Sequence, residues 1–265
     1  MIRHPLFLTA ALGVFAGALG GMMGVGGGIL LVPLLVHLMR KSQHEAQGLS
    51  LIFVVATAAV AVIPYLREER IDWRLAAILT AGALPGVLLG ARTARRIPGL
   101  GLRKLFGIAM LLTALRLLVA PPSGAMPIAW PWPADVALGL GVGFFAGLLG
   151  VGGGTVLVPA LVLAQGIPQH LAQGISLLLI VPVGIVGAAA YSKSGALDAR
   201  ALPGLLAGGA LGGLVGALLA QTIAEPALSR MFAIFLLAVS LQMIFGRARS
   251  RGEDAASRLP ISGGS

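Results

Sequence analysis

This chain of 265 residues is 57% hydrophobic and only 11% charged, whereas a soluble domain is about one quarter charged. So apolar a sequence is solvated only by lipid, which predicts an all-α protein with several membrane spans and excludes a soluble domain. The net charge of +10 does not indicate nucleic-acid binding, because the basic residues lie between apolar blocks without alternating aromatic residues. The absence of cysteine excludes disulfides and thiolate metal sites.

Five apolar blocks are predicted in the first half of the chain, residues 1–119. The first two, 5–23 and 28–39, are joined by a glycine-rich segment alone. The second is about a dozen residues, or roughly 18 Å of helix, too short for a hydrocarbon core of about 30 Å. We therefore predict a glycine-broken helical hairpin that enters the membrane and returns. Three transmembrane helices follow, at 46–66, 75–91 and 105–119.

An uncharged connector at 120–133 leads to a second half, residues 134–246, with the same plan. A tail at 247–265, rich in Arg, Ser and Gly, is predicted to be disordered. The first block of the chain has the outline of a signal peptide. Its duplicate at 134–149 lies in the middle of the sequence, where a signal peptidase site is not expected, so we interpret both blocks as membrane elements. The blocks of the second half are 134–149, 154–165, 171–191, 201–224 and 227–245.

The two halves are copies of each other at a shift of 126 positions. Gly24 to Gly28 returns as Gly150 to Gly154, and each copy is followed by Leu-Val-Pro. Between 24–51 and 150–177, 17 of 28 positions are identical. In an apolar protein, such a duplicated unit is typical of a transporter.

The basic residues predict how the chain is oriented. If each hairpin returns to its own side and the other three blocks span, the first half starts inside and the second starts outside. The halves are then inverted repeats, both termini are cytoplasmic, the connector 120–133 is external, and 14 of the 19 basic residues lie inside. The external exceptions are Arg67, Arg70, Arg74, Arg116 and Arg230.

The fourth block of each half carries glycine at every fourth position. This spacing lets helix backbones approach closely, so we expect a packing role rather than a ligand site. The two stripes are Gly82, Gly86 and Gly90, and Gly208, Gly212 and Gly216.

Little in the sequence resembles an active site. No acidic residue or lysine lies well inside a predicted span, and the four histidines are scattered, so no catalytic set can be assembled. The glycine motif follows an apolar helix rather than a strand, which argues against a nucleotide-binding loop. We expect no enzyme, no cofactor and no metal.

The duplicated glycine segments instead predict an anion-binding site. Without side chains, backbone N–H groups can point into a cavity, and the following helix offers the positive end of its dipole. Two hairpins that enter from opposite faces would direct both N-termini at one central point. The alternative is a tight turn between two helices. The candidate residues are Gly24, Gly26, Gly27, Gly28, Gly150, Gly152, Gly153, Gly154 and Thr155.

The third blocks add polar side chains at helical spacing. Gln47 and Ser50 lie on one helical face, and Gln173 and Ser176 repeat them. These groups could donate to an oxyanion, or could equally form hydrogen bonds between helices. The histidines of this segment are nearer the interface, where we expect boundary residues, with a pH-sensitive gate or proton site as the alternative. They are His44 and His170.

The doubled Gly-x-Gly-Gly-Gly-x-x-x-Val-Pro signature, at Gly24 to Pro33 and Gly150 to Pro159, resembles that of the TauE/SafE (TSUP) permeases. The similarity covers about 5–245. It implies transport of sulfite, of sulfonates such as sulfoacetate, or of related sulfur oxyanions across a bacterial inner membrane.

We therefore expect an anion transporter whose partners are a small anion and the lipid bilayer, with a homodimer left open. Export is favoured, because a univalent anion that leaves a negative-inside cell gains about 2.3 kcal/mol per 100 mV. The alternatives are ion-coupled uptake, with His44 or His170 accepting the proton, and a non-transporting membrane scaffold, which the short loops disfavour.

Overall fold

The computed structural model describes residues 6–67, 71–94, 100–119, 128, 130–192 and 202–245. Regular structure in this part of the chain is entirely helical, and each half contributes five helices. The predicted tail at 247–265 and most of the connector at 120–133 lie outside the described residues. The helices are α1 (Leu6–Met23), α2 (Gly28–Leu38), α3 (Gln43–Leu66), α4 (Trp73–Ala94), α5 (Leu100–Val119), α6 (Trp132–Leu149), α7 (Gly154–Ala164), α8 (Gln169–Ser192), α9 (Leu202–Thr222) and α10 (Glu225–Phe245).

Glycine ends the first helix of each half and turns the chain back. After α1, Gly24, Gly26 and Gly27 have φ values of 69°, 71° and 79°. Only glycine adopts this left-handed region without a steric penalty, so the motif fixes where the helix breaks. The second copy repeats the turn, with φ values of 71°, 84° and 88° at Gly150, Gly152 and Gly153.

Seven helices are long and apolar enough to cross a membrane: α1, α3, α4, α6, α8, α9 and α10. The first arm of each hairpin, with 18 residues, belongs to this group. The second arms, α2 and α7, have 11 residues each and do not. The chain is therefore a multi-pass membrane protein in which each half contains one short hairpin arm. The apolar part of α5, Gly107–Val119, is also shorter than the seven candidate spans, so the crossing expected at 105–119 is not among them.

The first helix of each half packs along the fourth helix of the other half. A Cβ added at Gly208, Gly212 or Gly216 of α9 would overlap a backbone carbonyl oxygen of α1. The glycine stripe of α4 lies against carbonyl oxygens of α6 in the same way. In both pairs the contacts advance together along the two chains, so the helices are parallel. The predicted packing role of the stripes is confirmed.

The third helices of the two halves, α3 and α8, cross at the buried centre of the molecule. Gly174 of α8 contacts Tyr65 of α3, whereas Gly184 contacts Val55 and Gly187 contacts Leu51. The α8 numbers rise as the α3 numbers fall, so these equivalent helices are antiparallel. Helices α5 and α10, also equivalent, pack against each other at the side of this core.

Candidate functional site

The two glycine turns meet each other at the centre, where both are buried. A Cβ added at Gly28 would lie 3.1 Å from the Cα of Val151, and one added at Gly154 would lie 2.7 Å from the carbonyl oxygen of Gly24. The structure thus brings the two candidate glycine segments into contact. The turns are in contact in this conformation, so an anion between them would require them to move apart.

Helices α2 and α7 both begin at these turns. Their N-cap residues, Gly27 and Gly153, are left-handed and provide no side-chain cap. The first backbone N–H groups of a helix have no intrahelical partner, and the aligned peptide dipoles make this end positive. Two helix N-termini therefore lie close together in the core without a fixed positive charge, an arrangement suited to binding an anion and releasing it.

Gln47 of α3 is held by two groups of the second half. Its Nε2 donates to the carbonyl oxygen of Leu148, at 3.1 Å, in the last turn of α6. Its Oε1 accepts from the hydroxyl of Tyr191, at 3.3 Å, and the same hydroxyl lies 2.9 Å from the carbonyl oxygen of Gly147. The side-chain amide is therefore hydrogen-bonded at its nitrogen to α6 and at its oxygen to α8.

Gln173 of α8, the duplicate of Gln47, is held at one end only. The Tyr65 hydroxyl lies 3.1 Å from its Oε1 and 3.2 Å from the carbonyl oxygen of Gly21. Its Nε2 is buried and has no hydrogen-bond partner among the described residues. Gln173, which carries this donor, packs against the Gly24 turn, since a Cβ added at Gly24 would be 2.6 Å from the Cβ of Gln173.

The two candidate serines are already hydrogen-bonded to the turns. Ser50 Oγ donates to the carbonyl oxygen of Gly28, at 3.2 Å, within its own half. Ser176 Oγ donates to the carbonyl oxygen of Gly24, at 2.7 Å, in the other half. A serine hydroxyl has a single proton, so neither could donate to an anion without leaving its carbonyl partner.

Thr155 lies on the wall of a cavity of about 250 Å³ between α5 and α7. Its hydroxyl is buried and unpartnered within the part of the chain that the structure describes. The rest of the wall is mostly apolar and follows α7 from its first turn to Leu163. The cavity therefore extends along the short helix and reaches its N-terminal turn at Thr155.

His170 lies away from the glycine turns, near the start of α8, where its Nε2 is 3.0 Å from the carbonyl oxygen of Ala220. The side chain of His44 lies outside the described part of the chain. Within that part, no group of three or more histidine, aspartate or glutamate residues is arranged to hold a metal ion. The structure does not bring His170 to the candidate anion site.

Three polar residues of the buried core were not predicted from the sequence. Tyr65 and Tyr191 contact the two glutamines, and their spacing of 126 positions is the signal that could have found them. Asp135, in the first turn of α6, is 5% exposed and accepts from Gln165 Nε2 at 2.7 Å. Its duplicate position is Thr9, so the repeat gives no signal for this carboxylate.

Comparison with known proteins gives matches over nearly the whole chain. A family model described as sulfite exporter TauE/SafE matches residues 9–243. A probable membrane transporter protein of Xylella fastidiosa (strain 9a5c) is 30% identical, with 92% of this chain and 97% of that protein covered. The probable membrane transporter protein YunE of Bacillus subtilis is 26% identical, with 90% and 97% covered. No solved structure matches the chain.

Proposed function

This chain belongs to the sulfite exporter TauE/SafE family, and we propose that it exports a small sulfur-containing oxyanion, such as sulfite or an organosulfonate, across a bacterial inner membrane. Its relatives are named as probable membrane transporter proteins, and this chain is likewise a membrane transporter and not an enzyme. The identity of the anion and the direction of transport are the proposed parts.

One observation carries the proposal: two uncapped helix N-termini and the two glycine turns that precede them are in contact in the buried core. Helix N-termini attract anions through their free N–H groups and their dipole. Two hydrogen-bond donors near these turns, Gln173 Nε2 and Thr155 Oγ1, have no described protein acceptor. A polyatomic oxyanion could accept from several such donors at once.

The orientation of the two halves is part of the same proposal. Equivalent helices run in opposite directions where they meet, as α3 and α8 do, and this supports two inverted repeats. Inverted repeats present a central site to either side of the membrane by the movement of one half against the other. We place both termini in the cytoplasm, because this arrangement puts most basic residues inside.

Export requires no coupling ion. A univalent anion that leaves a cell with an interior 100 mV negative gains about 2.3 kcal/mol, so the membrane potential drives it outward. The polar side chains against the glycine turns are glutamines and serines, which are uncharged, and this fits a site that releases its anion without a proton.

Asp135 favours a second candidate, ion-coupled uptake of a similar anion. It is the one charged residue among the described residues that is fully buried. Buried carboxylates in membrane helices often take part in proton pathways. Asp135 lies in the first turn of α6 rather than at the glycine turns, so the export proposal assigns it no role.

Flux into proteoliposomes tests both candidates. Purified protein is reconstituted, and the fluxes of sulfite, thiosulfate, sulfate, sulfoacetate and taurine are compared with an imposed membrane potential, with an imposed pH gradient and with neither. We expect flux of sulfite or a sulfonate that follows the potential alone. Flux that requires the pH gradient would favour coupled uptake, and no flux of any of the five compounds would contradict the proposed substrate class.

A further inference from the structure

The free hydrogen-bond donors near the glycine turns are unequally distributed between the two halves. Gln47 Nε2 donates to Leu148, while Gln173 Nε2, its duplicate, has no described partner although Gln173 is 0% exposed. The second difference is in the residue that follows each glycine segment. Thr155 carries a buried, unpartnered hydroxyl, whereas its duplicate is Ile29, which has no polar side-chain atom.

An unpartnered buried donor destabilises a protein. Leaving such a group without an acceptor costs about 1–3 kcal/mol, and lipid offers no acceptor to replace the missing one. The hydrogen bond from Tyr65 occupies Oε1 of Gln173 but leaves its Nε2 without an acceptor among the described residues. Keeping an amide there makes sense if a ligand supplies the acceptor, and an anion is the kind of ligand that does so.

Tyr65 contacts the oxygen end of the Gln173 amide. In the structure the Tyr65 hydroxyl faces Oε1 of Gln173, at 3.1 Å, and an amide oxygen accepts. Nε2 lies at the other side of the amide group. Tyr65 also lies 3.2 Å from the carbonyl oxygen of Gly21, in the last turn of α1, so the amide is aligned relative to the first hairpin.

We infer that the two halves hold the anion unequally: Gln173 donates to it from Nε2, with Tyr65 as its positioning residue, while Gln47 closes the C-terminal end of α6. This inference rests on the proposed anion site and assigns its side-chain donor. Thr155 adds a second donor from the same half. The two halves thus share their helices and turns but contribute different hydrogen-bond donors to the proposed site.

Matched variants of the two glutamines test the assignment. Gln173→Leu and Gln47→Leu are purified in detergent, and binding of sodium sulfite and of sulfoacetate is measured by calorimetry together with the thermal midpoint of each variant. Gln173→Leu should weaken binding roughly 10- to 150-fold, as expected for the loss of a hydrogen bond to a charged group. Gln47→Leu should affect binding far less and should lower the midpoint more, because it also removes the bond to Leu148.

The positioning role has its own readout. Tyr65→Phe should weaken binding in the same direction as Gln173→Leu and should add little when the two changes are combined, because the tyrosine acts through the amide. Gly141→Ala, whose methyl group would contact nothing within 4 Å, controls for expression and purification.

Two results would overturn the inference. Equal losses of affinity in the two glutamine variants would indicate a symmetric site. Equal falls in thermal midpoint would show that Gln47 has no greater structural role than Gln173, and this comparison can be made even if neither anion binds. Absence of sulfite and sulfoacetate binding to the wild type would instead count against the proposed substrate, and the two midpoints would still decide whether the halves differ.

Discussion

Ser176 donates its hydroxyl proton to the carbonyl oxygen of Gly24, 2.7 Å away and 152 positions earlier in the chain. The bond joins the third helix of one half to the glycine turn of the other. Its duplicate, Ser50, donates instead to Gly28 of its own half. The same side chain in the same position of the repeat therefore makes a contact between halves in one copy and within a half in the other.

We expect Ser176→Ala to lower the free energy of unfolding by about 0.6–1.5 kcal/mol, since a buried hydrogen bond is removed with little change in shape. Ser50→Ala should cost less, because its bond is longer. Reversible unfolding in mixed micelles measures both. Unchanged stability with a loss of anion affinity would show that the serines donate to the substrate, as the sequence suggests.

The glycines of α6 offer a test of helix packing with an internal control. A Cβ at Gly143 would overlap the carbonyl oxygen of Ala83 on α4, while one at Gly141 would have nothing within 4 Å. Gly143→Ala should therefore separate α4 from α6 and reduce the yield of folded protein. Gly141→Ala should be neutral or stabilise the helix by up to about 1 kcal/mol. Size-exclusion profiles and thermal midpoints compare the two, and a tolerated Gly143→Ala would contradict the tight contact.

The inverted orientation predicts opposite exposure of duplicate positions. Leu38 and Ala164 are both exposed and are 126 positions apart, at the ends of α2 and α7. In this cysteine-free chain, Leu38→Cys should react with an impermeant thiol reagent only from the cytoplasmic side and Ala164→Cys only from outside. Intact cells and inside-out vesicles supply the two sides. Labelling of both positions from the same side would rule out inverted repeats.

Asp135→Asn separates the two directions of transport. Asparagine keeps the Oδ1 acceptor for Gln165 Nε2, which lies 2.7 Å from the aspartate, but it cannot bind and release a proton. Under the export proposal, the response of flux to a pH gradient should be the same as in the wild type. If the variant loses a pH-driven flux that the wild type has, Asp135 carries the coupling proton and uptake is the better assignment.

The helix breaks were predictable because a run of glycines ends a helix and allows the positive φ values that a sharp turn requires. Gly26 and Gly152 have such values. The pairing of α1 with α9 and of α4 with α6 was not, because a glycine stripe specifies a close approach but not the partner. The repeat of 126 positions and the helical spacing of polar residues also identified Gln47 and Gln173. Gln47 Nε2 has an acceptor because the carbonyl oxygen of Leu148 lies 3.1 Å away, whereas Gln173 Nε2 has none among the described residues. The sequence pattern contains no such distance, so this difference could not be predicted.

The last prediction concerns the two N-cap glycines of the hairpins. A Cβ at Gly27 would overlap the carbonyl oxygen of Ala16. A Cβ at Gly153 would first meet side-chain atoms, with Val142 Cγ1 at 2.9 Å and Ala146 Cβ at 3.2 Å, and would lie 3.3 Å from the carbonyl oxygen of Val142. Both positions are left-handed, so alanine costs about 1–2 kcal/mol in backbone strain at either one. The backbone clash adds to this cost only at Gly27.

Gly27→Ala should therefore fail to accumulate as folded protein, while Gly153→Ala should fold with reduced stability and allow flux to be measured. If Gly153→Ala folds but no longer binds the anion, the turn before α7 is part of the binding site, and unchanged affinity would assign it to packing alone. Equal loss of both folded proteins would mean that positive φ, rather than the contact with Ala16, decides the outcome. Yield, thermal midpoint and sulfite affinity, measured together for the pair, distinguish these results.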